Sequence, residues 1–137
     1  MKRLLALAAL LTGAALAHDT QSAGSVKVTM FTDANDKLRV NADTPVLFEL
    51  QHDGKPLAVQ GCRCTLLVYL GAPSARTPPL ASLPLKRLPD GRTGALVTIT
   101  EPGSYTLVLD GRPVKFGSFD PFRVQYTLPG AVNVVGD

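Results

Sequence analysis

Cys62 and Cys64 are the residues whose type and spacing could do chemistry. They are the only cysteines in the chain, and Arg63 alone separates them. On an extended strand, residues two apart point to the same side, with Cα atoms roughly 6.5–7 Å apart. Two thiolates so placed could grip one soft ion such as Cu(I), since soft metals select sulfur. The Arg63 guanidinium beside them would favour the thiolate form. Alternatively, the pair is a disulfide, because cysteines outside the cytoplasm usually oxidise. That ring would be very small, and the extended Cα separation lies at the upper edge of what the bond spans. Such a bond would be strained and easily reduced, or would need a bulge at Arg63. The third reading is two buried thiols packing as small hydrophobes.

His18 and His52 are the only histidines. If the chain is cut before His18, its free amine and imidazole make a bidentate copper ligand. His52 could then complete a three-nitrogen site. The candidate metal set is therefore Cys62, Cys64, His18 and His52, with copper as the cofactor. In the ordinary reading, His18 is merely a first residue and His52 a solvated residue beside a turn. Met30 reads as a sheet residue, its thioether having no other ligand near it in sequence. Asp33, Asn35 and Asp36 resemble a calcium loop only superficially; without a bidentate Glu at the needed spacing they read as a turn. There is no Ser/His/Asp motif, paired-carboxylate constellation or phosphate-binding glycine loop, so the expectation is a protein that is not an enzyme. A thiol–disulfide enzyme would use C-x-x-C at a helix start rather than C-x-C in a strand.

The elements that must position these residues follow a leader. Lys2 and Arg3 precede an apolar run from Leu4 to Leu16, and Ala15-Leu16-Ala17 is a small-x-small cleavage site. Residues 1–17 read as a secretory signal peptide, too short and wrongly flanked to span a bilayer. The expected location is secreted or periplasmic, with no membrane span in the mature chain. Cleavage leaves 120 residues, enough for one domain with a core. It also lowers the formal charge from +3 to +1. A near-neutral chain gives no electrostatic case for nucleic acid or anionic lipid. The expected partner is another envelope protein.

Residues 18–24 read as a flexible segment. Period-two alternation marks strands at residues 26–32, 38–40, 46–51, 62–70, 95–100, 104–110 and 119–128. Pro84 demotes residues 81–88 to an edge strand, and Pro73, Pro78 and Pro79 make residues 72–79 a loop. Asp53-Gly54-Lys55-Pro56, Pro89-Asp90-Gly91-Arg92 and Asp110-Gly111-Arg112-Pro113 read as turns. No helical periodicity follows residue 17. About seven short strands between Gly/Pro/Asp turns predict an all-β, immunoglobulin-like β-sandwich over residues 25–128, followed by a tail at 129–137. A barrel is the architectural alternative. Alternation predicts a core of Cys62, Cys64, Leu66, Val68 and Leu70 on one strand. From the flanking strands it adds Val26, Val28, Val46, Phe48, Leu50, Leu96, Ile99, Tyr105, Leu107, Leu109, Phe122 and Val124. Tyr105, after a Pro-Gly turn, is spaced to bond the backbone as a tyrosine corner does.

Asp53-Gly54-Lys55-Pro56-Leu57, a strand starting near Gly61, and Glu101-Pro102-Gly103-Ser104-Tyr105-Thr106-Leu107 resemble small exported bacterial sandwiches of the YtkA-like and FixH-like type. The resemblance covers residues 45–128. CopC-like copper proteins share the sandwich and begin with histidine after cleavage, as this chain would at His18, but their D-x-H near the C-terminus is absent here. The resemblance implies a non-catalytic exported binding or accessory domain, in some members linked to copper handling or oxidase assembly. A structural or protein-interaction sandwich without metal is the alternative.

Overall fold

The computed structural model describes residues 18–32, 37–128 and 132–133. The expected leader, the turn at 33–36 and most of the tail lie outside these residues. The described residues contain no α-helix, only one 3-10 turn at Val59–Gly61. Their strands are β1 His18–Ala23, β2 Val26–Thr32, β3 Arg39–Val40, β4 Thr44–His52, β5 Lys55–Pro56, β6 Cys62–Leu70, β7 Ala81–Pro84, β8 Lys86–Arg87, β9 Thr93–Val97, β10 Tyr105–Pro113, β11 Phe122–Leu128 and β12 Val132–Asn133.

Alternation drives the layering. Val26, Val28 and Met30 of β2 are buried while Lys27 between them is exposed, and β11 alternates along its whole length. Each such strand offers one apolar face and must cover it. The result is two antiparallel sheets, one ordered β1-β2-β4-β9-β8 with β5 against β4, the other β11-β10-β6-β7. Lettered as an immunoglobulin domain, β2, β4, β9 and β8 stand as A-B-E-D, and β11, β10, β6 and β7 as G-F-C-C′. The chain is a β-sandwich, not a closed barrel. Its two sheets approach each other along one side, where Gln21 Nε2 of β1 donates to the Gln125 carbonyl of β11 at 2.5 Å.

Four expectations are corrected. Residues 18–23 are not a segment standing outside the sheets; they pair with β2 from His18–Phe31 to Ala23–Val26, turning at Gly24. Residues 81–88 are not one edge strand. β7 pairs with β6, β8 with β9, and the chain changes sheet between Pro84 and Lys86. That is the place where proline lacks a ladder N–H. Asp110-Gly111-Arg112-Pro113 is not a turn, because β10 stays paired with β6 through Pro113–Cys62. Finally, Leu70 (44% exposed) and Leu96 (41% exposed) leave the core, and Ala95 and Val97 take the inward positions of β9. The remaining predicted core residues are buried, joined by Leu38, Phe119, Tyr126 and Leu128.

Two tyrosines tie the sandwich. Tyr105 OH donates to the Glu101 carbonyl, the tyrosine-corner bond. Tyr126 OH of β11 donates across the core to the Val28 carbonyl of β2 at 3.1 Å. Burial first, and then the Asp19 charge, pushes the Tyr126 hydroxyl far above its ordinary value of 10.0. Burial and then the Glu101 charge raise Tyr105. A native state that keeps protons the unfolded chain releases is stable below the ordinary tyrosine value and loses stability as pH rises above it. Denaturant midpoints should therefore fall above pH 10, with the Tyr126 phenolate absorbance appearing only as the fold opens. Tyr126→Phe should cost about 1 kcal/mol at neutral pH, because the Val28 carbonyl loses its donor, and should flatten the alkaline decline.

Candidate functional site

Cys62 and Cys64 open β6, and both side chains turn into the sandwich (7% and 4% exposed). The structure joins them as a disulfide with Cα atoms 5.3 Å apart. The strand accommodates the small ring by contraction rather than by a bulge. Arg63 stays in register with Arg112, between Cys62–Pro113 and Cys64–Gly111. A ring closing so few residues restrains the unfolded chain little, about 1.6 kcal/mol for three residues against about 3 kcal/mol for a fifteen-residue loop. Its effect is mainly local, fixing the backbone at Arg63, whose side chain points out of the opposite face.

The expected metal set does not assemble. Register places His18 opposite Phe31 and His52 opposite Val26, at the two ends of β2. Five residues of strand, roughly 17 Å, separate those rows, so the register holds the two histidine backbones far apart. His52 ends β4 next to the Asp53–Gly54 turn, with Nε2 3.4 Å from Asp53 Oδ2. Its ring lies 6.1 Å from that of Phe119, which lies 6.0 Å from that of Phe122. Phe122 in turn covers Gly111, the register partner of Cys64. Among the described residues, no group of three or more His, Cys, Asp or Glu side chains is close enough to hold a metal ion. Met30 is an ordinary core residue.

The feature that the sequence does not reveal is a cleft on the outer face of the first sheet. The β4–β9 ladder ends at Leu47–Gly94, and the β4–β5 ladder begins at Gln51–Pro56. Between them, Phe48, Glu49 and Leu50 have no strand partner on that side; only the Leu50 carbonyl is met, by Leu57 N–H at 2.9 Å. The opening has a volume of about 460 Å³, with Phe31, Leu47, Pro56 and Leu57 as apolar walls and Glu49, Gln51, Arg92 and Thr93 as polar groups. Asp90 holds Arg92 in place. Its Oδ2 accepts from Arg92 Nε and Nη2, each at 2.7 Å, and its Oδ1 accepts from the Arg92 backbone N–H at 2.9 Å. The same contacts hold the Asp90 carboxyl below its ordinary value.

A second, more open groove of about 530 Å³ lies where the proline-rich loop after β6 passes Tyr69 and Arg123. No helix among the described residues is long and apolar enough to cross a membrane. Comparison with family models, with curated proteins and with solved structures gives no match.

Proposed function

We propose that the chain is an exported, non-catalytic binding domain whose ligand seat is the cleft between β9 and β5. The single observation carrying this reading is the interruption of pairing along β4. It leaves a volume within the range of small-molecule sites, about 300–1,000 Å³, with mostly apolar walls and a few fixed polar groups. The ligand class that fits is a small molecule with an apolar body and one hydrogen-bonding end that meets Glu49, Gln51 or Arg92. Export rests on Lys2-Arg3, the apolar run and Ala15-Leu16-Ala17. The turn motifs resembling YtkA-like and FixH-like sandwiches agree with an accessory role.

Screening small molecules by amide chemical shifts tests the seat. Binders should move Phe48 to Gln51 together with Arg92 and Thr93. Glu49→Trp, which sets an indole at the opening, should weaken them about tenfold or more, equivalent to about 1.4 kcal/mol. Binders that perturb other residues, or ignore the indole, would remove the cleft from consideration.

Copper is the second reading, favoured by two sulfurs on one inward face of β6. It requires the disulfide to be reduced first, because the thiolate is the metal ligand. Under reducing conditions, Cu(I) should saturate near one equivalent, and Cys62→Ser with Cys64→Ser should abolish uptake. A double variant that binds copper as the parent does would end this reading.

A further inference from the structure

Arg63 and Arg112 face each other directly across β6 and β10. Both are exposed on the outer face of the second sheet. Like charges directly opposite on neighbouring strands repel. The residues are far apart in sequence, so only the strand register brings them together. The nearest acid in register is Asp110, two rows along on the same face beside Arg123, and Asp120 follows at the far end of the β10–β11 connection. Neither makes an ion pair with Arg63, Arg112 or Lys115 among the described residues.

The same face continues into the β10–β11 connection. Val114 N–H donates to the Gly61 carbonyl at 3.1 Å, which carries the ladder one row past Pro113–Cys62 and two past Arg112–Arg63. Val114 is 48% exposed. A tight turn follows, closed by Ser118 N–H donating to the Lys115 carbonyl at 3.1 Å. Gly117 supplies the positive φ of 85° that the third position of a type II turn requires. Phe116 stands at the second position, and it is 100% exposed. Buried Phe119 anchors the far end of the connection. A fixed turn thus holds an aromatic side chain fully in water, beside Lys115 and next to an uncompensated arginine pair.

We propose that this end of the sandwich docks on an anionic membrane surface, with Phe116 and Val114 entering the interface and Arg63, Arg112 and Lys115 meeting lipid phosphates. An exposed apolar tip with cations beside it is complementary to a surface whose outer layer is anionic and whose interior is apolar. Arginine suits the role because its planar fork accommodates phosphate oxygens in pairs. The Cys62–Cys64 ring fixes the Arg63 backbone within this surface. The near-neutral net charge does not oppose the proposal, since the contact depends on local charge within a Debye length.

The chain contains no tryptophan, so Phe116→Trp installs a single reporter at the apex of the turn. Its emission should shift to the blue on vesicles of phosphatidylcholine mixed with phosphatidylglycerol, and stay at its aqueous position on pure phosphatidylcholine. Adding Arg63→Gln and Arg112→Gln to this protein should weaken the response about tenfold or more, and raising salt should do the same. Circular dichroism should be unchanged in every variant, because all three side chains are exposed. An emission that stays aqueous on anionic vesicles would overturn the proposal, even if the chain floats with them, because other residues would then carry the binding. An equal shift on neutral vesicles, or one indifferent to the arginines, would overturn it as well. So would a shift seen only with an acidic protein partner.

Discussion

Gly94→Ala is expected to destabilise the domain by about 3 kcal/mol or more, the upper end of what overpacking costs. Gly94 lies in β9, paired with Leu47 of β4 on one side and Lys86 of β8 on the other. A Cβ there would sit 2.2 Å from the Val46 carbonyl oxygen and 3.0 Å from the Leu47 Cα. Both are backbone atoms, so no rotamer change relieves the clash; β9 must draw away from β4. The ladder from Thr44–Val97 to Leu47–Gly94 would open, and β8, which pairs only with β9 in that sheet, would move with it. Against a total stability of about 5–15 kcal/mol, that loss shows as a large drop in the denaturant midpoint. Gly91→Ala is the comparison. Gly91 has φ of 87°, and a Cβ there would meet nothing within 4 Å, so it should lose only the left-handed backbone penalty, about 1–2 kcal/mol. Equal losses at the two positions would contradict the close approach of β9 to β4.

The same strand shows why the sequence carries some of this fold and not the rest. Strands whose faces differ chemically are legible. Val26-Lys27-Val28 and the Cys62, Cys64, Leu66, Val68 face announce which side is buried, because period two is a geometric property of the strand. Ala95-Leu96-Val97 is apolar at both parities, and the larger leucine draws the core assignment to the wrong residue. The inward side has room for Ala95, and Leu96 stands outside opposite Pro45. His18–Ala23 carries almost no apolar signal, yet it is a strand because β2 supplies a partner for its backbone. Asp110-Gly111-Arg112-Pro113 has turn chemistry, but pairing on both sides of β10 outweighs it until the ladder ends. The disulfide is one of three readings that C-x-C allows, since the spacing permits the bond without requiring it. The cleft is invisible in the sequence because it is made of missing pairing along β4, and the Arg63–Arg112 pair because it exists only in the register of distant strands.

Gly111→Ala should be the second most damaging of these glycine changes, at about 1–3 kcal/mol, and its partner can be named in advance. Gly111 lies between Phe122 of β11 and Cys64 of β6 in one row of the second sheet. A Cβ at Gly111 would come within 2.2 Å of Phe122 Cζ and 2.3 Å of its Cε2. Here the obstacle is a side chain, which could in principle swing aside. It is not free to do so, because the Phe122 ring is buried and packs at 6.0 Å against Phe119, which is buried too. The glycine therefore provides the shelf on which the ring lies, the reason a residue that weakens strands stands inside β10. Phe122→Ala alone should cost about 3–5 kcal/mol through the cavity it leaves. In that background Gly111→Ala should cost well under about 1 kcal/mol, since its methyl then enters vacated space, so the two changes couple rather than add. Measured additivity would mean that the ring does not rest on Gly111, and that something other than steric fit accounts for the glycine beside the disulfide.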